Sequence, residues 1–273
     1  MSTKTRIPLA IAIVTAALSA QSASRAEEPN QLRKALTFHA SFDESADADK
    51  ANGDAKVYTS ETLKREKVRT GLPTDAVALA AGGRFGKCLS FSKKTPQLVF
   101  YRGADNIAYD KQSMNGAVSL WMELDPATEL PAGYVDPLQI TDKKWNDASL
   151  FLDFTQKNPR SFRLGVYSDF KFWNPTNRKF AEIPAEELPL VSLSKAPFQR
   201  KRWTHVAFTL SNFNSSKPGE AVLYIDGRQA GVLKGKQRFT WNPQDVVVMI
   251  GIYYVGRMDD LAIFDRTLTP AQI

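Results

Sequence analysis

Near the end of the chain, Gly256 to Asp265 reads GRMDDLAIFD and places Asp259, Asp260 and Asp265 within ten residues. Three carboxylates so close could form a catalytic set or a row of polar strand-edge residues. They could also hold a hard cation such as Ca2+, which takes oxygen ligands from carboxylates and backbone carbonyls. A second acidic group, MELDPATEL, brings Glu123, Asp125 and Glu129 together. Two carboxylates flanking a glycosidic bond are the apparatus of glycoside hydrolysis. Glu123 and Asp125 share a strand face with Trp121, but Pro126 follows at once. A proline removes a ladder donor and ends the strand, so Glu129 falls out of register.

Recognition without cleavage would use aromatic faces displayed beside amide or acid side chains. Four groups have that composition: Trp145-Asn146-Asp147, Phe170 to Asn174, Trp241-Asn242 and Tyr253-Tyr254. Only the first two lie in polar, loop-like surroundings, so Trp145, Asn146, Phe172, Trp173 and Asn174 are the candidate ligand-binding residues. Aromatic rings are otherwise ordinary core material. His39 and His205 are the only histidines, each inside a strand-like run. With no second His or Cys ligand nearby, zinc is disfavoured. No G-x-S-x-G turn exists to expose a serine nucleophile. Cys88, the single cysteine, sits in the apolar run GKCLSF and reads as a small buried hydrophobe.

The elements that must position these groups are strands. PQLVFY (96–101), AVSLWMEL (117–124), ASLFLDF (148–154), SFRLGVY (161–167), WTHVAFTL (203–210), AVLYID (221–226), DVVVMIG (245–251) and DDLAIF (259–264) are rich in β-branched and aromatic residues. Each is bounded by Gly, Pro, Asn or Asp. In AVSLWMEL, Val118, Leu120, Met122 and Leu124 alternate with Ser119, Trp121 and Glu123, the period of a half-buried strand. Many strands without intervening helices predict an all-β, antiparallel two-sheet jelly-roll sandwich. Asp226-Gly227, between two strand-like runs, predicts a tight hairpin turn in which Asp226 is a turn former. Long irregular pieces between Gly133 and Pro197 read as loops decorating a regular scaffold.

The chain opens with Lys4 and Arg6, an apolar run from Ile7 to Leu18, and Ser24-Arg25-Ala26 before Glu27. This is the pattern of a cleavable secretory signal over residues 1–26. No later stretch approaches the ~20 apolar residues of a membrane helix. Residues 27–35 then read as a linker and 36–273 as one domain, exported to the periplasm, the cell surface or the medium. The signal carries three cations and no acid, so cleavage lowers the net charge from +7 to +4, with 33 basic against 29 acidic residues. The remaining cations are scattered in short clusters, Lys64 to Lys67 and Arg200 to Arg202, without the concentrated stripe of a nucleic-acid binder. An exported chain with one cysteine has no intramolecular disulfide and must draw its stability from a large core.

Taken in order, GRFGKCLSF, AVSLWMEL, RWTHVAFTL, AVLYIDGRQAG and IGIYYVGRMDDLAIFDRTLTPAQI resemble the laminin G-like, concanavalin A-like lectin/glucanase superfamily. The bacterial LamG-like jelly-roll domain is the nearest type, matched over about Leu36 to Ile273. LTFHASFDESADAD resembles its first strand and acidic loop. The turn between Gly251 and Gly256 is shorter than is common there, and Gln272-Ile273 stands where Glu-Ile is usual. The resemblance implies a structural Ca2+ held by Asp259 with Asp43 and nearby carbonyls. It also implies a His205 ring packed beside Trp203. Its glucanases carry E-x-D-x-E or E-x-D-x-x-E on one strand, a pattern that Glu123 and Asp125 begin and Pro126 breaks. The reading that follows is a non-catalytic exported module, calcium-supported, that recognises glycan or another extracytoplasmic ligand such as a cell-surface or extracellular protein. The alternatives are a glycoside hydrolase using Glu123 and Asp125, and a structural or adhesive domain with no small ligand. On the residue reading, Asp259 and Asp260 point to opposite strand faces, and Asp260 and Asp265 are edge or turn residues.

Overall fold

Alternation of the kind seen in AVSLWMEL buries one face of each strand, and two such faces must close on one another. The computed structural model, which describes residues 30–273 apart from Thr74, realises this as two antiparallel sheets. The first contains β1 (Leu36–Ala40), β2 (Lys50–Ala51), β5 (Val77–Ala81), β6 (Lys87–Phe91), β8 (Met114–Glu123), β13 (Thr204–Phe213), β14 (Gly219–Ile225), β15 (Arg228–Gly235) and β17 (Gly256–Phe264). Its main path runs β15-β14-β13-β8-β17-β1-β2, with β6 on β17 and β5 on β6. The second contains β3 (Tyr58–Ser60), β4 (Arg69–Thr70), β7 (Leu98–Arg102), β9 (Val135–Thr141), β10 (Ser149–Phe154), β11 (Phe162–Tyr167), β12 (Leu190–Leu193) and β16 (Val247–Ile252). Its order is β12-β11-β10-β9-β16-β7-β3-β4. Non-sequential neighbours at the centre of both sheets, β13-β8-β17-β1 in the first and β9-β16-β7-β3 in the second, make this a jelly-roll sandwich, the expected fold class.

The alternating residues meet as expected. Leu120 and Met122 of β8, Val206 and Phe208 of β13, and Leu261 and Ile263 of β17 face Leu138, Ile140, Leu152, Leu164 and Ile250 of the other sheet in one buried cluster. Cys88 is buried and free, as its apolar run implies. Asp226 and Gly227 both take positive φ, 48° and 74°, in the β14–β15 turn. Among the described residues no helix is long and apolar enough to cross a membrane. The secretory-signal segment lies outside the described residues. Residues 30–35, expected as linker, are helical, and Leu32 and Ala35 pack against Phe264 and Leu268.

Two strands depart from simple pleating. In β17 the register with β8 slips between Asp259 and Ala262, and Asp260 takes φ 48°. Met258 and Leu261 both enter the core, which leaves two residues between them on the outer side. That is a β-bulge, one residue more than the partner strand. It corrects the expectation that Asp259 and Asp260 face opposite ways: the pleat would separate them, but the bulge keeps both off the core. Strand β9 runs through Pro137 in the interior of its sheet, and its pairing with β10 skips that residue, with a slip between Leu152 and Phe154.

Candidate functional site

The terminal aspartates do not act as a set. Asp259 is fully buried, and its Oδ2 accepts the N–H groups of Arg84 at 2.6 Å and Phe85 at 3.1 Å. Its Oδ1 accepts the Asp260 N–H at 3.0 Å. Burial pushes its carboxyl up to about 6 against the pull of these amides. Asp43 grips the other end of the same loop, with Oδ1 accepting the Lys87 N–H at 2.9 Å. Two glycines make this closure possible. A Cβ at Gly83 would stand 2.7 Å from Asp259 Oδ2, and one at Gly86 would stand 2.0 Å from Asp43 Oδ1. Asp43 and Asp259 thus converge on one loop, bound there through amide donors. Among the described residues no three His, Cys, Asp or Glu side chains gather as a metal cluster, so any cation here would draw its remaining oxygens from carbonyls.

Asp260 is not a simple edge residue. From the bulge it reaches back to β1, and its Oδ1 lies 2.8 Å from His39 Nε2. Donating its hydrogen bond to this carboxylate raises the His39 pKa above its ordinary value. His205 does not pack on Trp203 as the resemblance implied. It lies on the Trp121 ring, 4.9 Å between centroids, and shares a 2.8 Å hydrogen bond with Ser119. Cross-strand pairing of His205 with Trp121 places the rings together, whereas Trp203 precedes the strand.

The MELDPATEL carboxylates are held in scaffold contacts. Glu123 Oε1 accepts the Lys201 N–H at 2.9 Å, and Oε2 lies 3.3 Å from Arg257 Nη1. Asp125 caps the turn after β8 by accepting the Ala127 N–H at 3.0 Å, and its own N–H donates to Glu129 Oε2 at 2.6 Å. Glu129 also pairs with Arg200 at 3.1 Å.

The richest concavity is a cleft of about 500 Å³ on the outer face of the eight-stranded sheet, within the usual ~300–1,000 Å³ of ligand sites. Outward positions of three adjacent strands form its floor: Asp136 and Gln139 from β9, Phe151 and Asp153 from β10, Arg163 and Tyr167 from β11. Its walls are the exposed rings of Tyr134, Trp145 and Phe180. Trp145 stands edge-on to Tyr167 at 5.6 Å and to Phe180 at 5.3 Å, while Phe151 stacks on Tyr167 at 5.5 Å. The Phe151 ring lies over Gly165, where a Cβ would come within 2.2 Å of it, so glycine is what lets the floor lie flat.

Two acids meet on this floor. The Arg163 guanidinium holds both oxygens of Asp153, with Nε to Oδ1 at 2.8 Å and Nη2 on Oδ2, and sits 5.2 Å from the Tyr134 ring centre. Burial pushes the Asp153 carboxyl up while Arg163 pulls it down. Across the β9–β10 slip, desolvation pushes the Asp136 carboxyl up to about 8, and the Asp153 charge adds to it. Asp136 is thereby a neutral carboxylic acid at pH 7, able to donate one hydrogen bond.

The candidate ligand residues divide around this cleft. Trp145 is in its wall, and Asn146 contributes its carbonyl, which accepts Trp173 Nε1–H at 2.9 Å. Trp173 packs edge-on against Tyr167 at 4.9 Å. Asn174 is buried, and its amide ties both the N–H and the carbonyl of Arg178, so it shapes a loop. Phe172 is exposed but lines a different hollow. Trp241 and Tyr254 are core residues.

Comparison with known proteins agrees with this architecture. Residues 103–273 match the model of the Concanavalin A-like lectin/glucanases superfamily. No curated protein matches the chain. Among solved structures, domain 4 of a GH43 extracellular arabinanase from Geobacillus stearothermophilus, in complex with arabinotriose, is similar at 19% identity. The match covers 87% of this chain and 95% of that one, with a TM-score of 0.46. A botulinum neurotoxin type C structure, whose cell entry is described as dependent on two ganglioside molecules, is similar at 14% identity and TM-score 0.57. It covers 89% of this chain and 51% of that one. The binding domain of botulinum neurotoxin DC, in complex with rat synaptotagmin II, is 14% identical, with 88% and 50% coverage and TM-score 0.56. The chain spans about half the length of these toxin chains. It belongs to the concanavalin A-like lectin/glucanase superfamily.

Proposed function

We propose that this superfamily member is a non-catalytic, exported glycan-binding module whose ligand lies in the cleft on the eight-stranded sheet. The observation that carries this reading is the Tyr134, Trp145 and Phe180 wall around a polar floor of Asp136, Gln139 and the Asp153–Arg163 pair. Aromatic faces take the C–H face of a sugar ring. The floor groups then satisfy its hydroxyls: Asp136 as a donor, Gln139 as donor and acceptor, and Arg163 as a donor held in place by Asp153. The toxin domains with the same fold and a described ganglioside dependence are consistent with glycan recognition on such a frame.

Binding is favoured over hydrolysis by the state of the carboxyls. Arg163 occupies both oxygens of Asp153, so no free base or nucleophile stands opposite the protonated Asp136, as two-carboxylate chemistry requires. Glu123 and Asp125 are engaged elsewhere, on the other sheet and its turn. Calcium support is part of the proposal. Asp43 and Asp259 would supply two of the 6–8 oxygens calcium takes, and the ion would stiffen the Gly82–Lys87 loop. Export predicts a mature N-terminus at Glu27.

The test is a glycan array followed by titration calorimetry on the best binder, with wild type, Trp145→Ala and Asp153→Asn. Binding that weakens about tenfold or more in both variants supports the cleft, since one change removes a wall ring and the other frees the Arg163 guanidinium from its place on the floor, each worth ~1.4 kcal/mol or more. A folded wild type that leaves the array blank, or affinity unchanged in both variants, refutes it.

A further inference from the structure

The second hollow, about 620 Å³, lies beside the one-turn helix Phe170–Trp173, between residues 109–111, the segment after β13 and the stretch 236–241. Its lining carries three cations, Lys111, Lys236 and Arg238, and no carboxylate. All three are exposed. Asn214 and Ser215, two neutral polar residues of the wall, are committed to the scaffold. Asn214 Nδ2–H donates to the Asp110 carbonyl at 2.7 Å, and Asn214 Oδ1 accepts the Phe239 N–H at 2.7 Å. The Ser215 hydroxyl donates to the Asn212 carbonyl at 2.8 Å. Asp169, beneath the wall, approaches Arg238 Nε at 3.7 Å but is shared with Lys143 and with the Thr240 N–H and hydroxyl. What the hollow presents to a ligand is therefore positive charge beside the faces of Phe172 and Tyr109.

One turn of helix separates this hollow from the cleft. Phe172 lines the hollow, while the next residue, Trp173, packs on Tyr167 of the cleft floor. We propose that the hollow is a second binding site, for the carboxylate or sulfate ester of an acidic saccharide whose neighbouring units extend toward the cleft. This names the ligand class and rests on the cleft reading for the extension, but not for the anion site itself. Three cations with no acid in the wall favour an anion, and ring faces beside them favour one carried on a sugar.

The experiment measures binding of polygalacturonate and dextran sulfate, with uncharged dextran as reference, to the full mature protein at two salt concentrations. The variants are Lys111→Gln/Lys236→Gln/Arg238→Gln, a charge-matched control Lys34→Gln/Lys157→Gln/Lys195→Gln on other exposed sites, and Trp145→Ala. The hollow variant is expected to lose about thirtyfold in affinity for one or both polyanions, roughly threefold per screened charge, with a shallower salt dependence. The control is expected to lose severalfold less. Loss with polygalacturonate alone assigns a carboxylate, and loss with dextran sulfate alone assigns a sulfate ester. Equal losses in the hollow variant and the control overturn the proposal, as does wild-type binding to both polyanions no tighter than to dextran. If Trp145→Ala leaves polyanion binding intact while the hollow variant abolishes it, the anion site stands and the cleft reading falls. If only Trp145→Ala weakens binding, the cleft stands and the anion site falls.

Discussion

Replacing Asp136 by Asn tests the electrostatics of the cleft floor without altering its shape, because the amide has nearly the size of the protonated acid. The Asp136 carboxyl titrates near 8 in the folded chain, against an ordinary value of 3.8. Between those limits the folded state holds a proton that the unfolded chain has released. Wild-type stability attributable to this group is therefore complete below about pH 4 and declines as pH rises toward 8. Each pH unit is worth about 1.4 kcal/mol, so the ceiling is about 6 kcal/mol. Asp136 is only partly buried, in an open cleft, so water and movement of Arg163 toward it lower the expected effect to about 2–3 kcal/mol. The assay is denaturant unfolding of wild type and Asp136→Asn at steps from pH 4 to pH 9. Taking the difference between the two proteins at each pH cancels the other titrating groups. The variant should match wild type near pH 4 and become progressively more stable than it toward pH 9. A difference that stays constant across the range would refute the neutral-acid reading, and with it the assignment of Asp136 as a hydrogen-bond donor to ligand.

Asp259→Ala strips the acceptor from the Arg84, Phe85 and Asp260 amides and should cost about 2–4 kcal/mol in denaturant unfolding; a loss under ~0.5 kcal/mol would show that water replaces it freely. If calcium binds there, adding it should raise the wild-type melting midpoint and chelator should lower it, with no response in Asp43→Ala or Asp259→Ala; an unresponsive wild type removes calcium. The raised His39 pKa implies that its pairing with Asp260 stabilises fully below about pH 6.5 and fades as pH climbs through the higher folded value. Asp260→Asn should thus cost about 1 kcal/mol at pH 6 and less at pH 9, and a cost that grows with pH contradicts the pairing. Gly165→Ala forces a Cβ onto the Phe151 ring, so stability should fall by about 1–3 kcal/mol and ligand binding should weaken with it, both measured on the same preparation.

The sandwich was legible because burial writes itself into alternation, and a hydrophobic face can be read one residue at a time. The cleft was not, for reasons that lie in particular residues. YVDPLQI carries Pro137, and a proline in a strand argues for an edge, yet β9 is central because its pairing with β10 slips past that residue. Without β9 as a strand, Asp136 and Gln139 could not be placed beside Asp153. ASLFLDF and SFRLGVY did offer a signal: Asp153 and Arg163 are single charges in otherwise apolar strands, and charges in such places are nearly always paired. The β17 bulge also left a trace, since Met258 and Leu261 are three apart where an unbroken strand would space its core residues by two.

The long pieces between Gly133 and Pro197, which look like ornament in the sequence, have a physical reason to exist. On the eight-stranded sheet the outward positions of β7 and β16 are apolar: Leu98, Phe100, Val247, Met249 and Ile252 form a second buried cluster, against which Tyr58 and Tyr253 pack. A sheet apolar on both faces needs cover on both, and a loop provides it only where it lies on the sheet. Over β10 and β11 the cover comes from the long pieces, where Trp145 meets both Phe180 and Tyr167. Between them the floor turns from apolar to polar, at Asp136, Asp153 and Arg163, and there the cover stops. Asp153 and Arg163 satisfy one another at the edge of this cover, and a paired polar floor gives the rings nothing apolar to pack on, so the polarity change that interrupts the packing opens the cleft. The cleft is thus the boundary where outer-face packing ends, and its position follows from three ionisable residues on neighbouring strands.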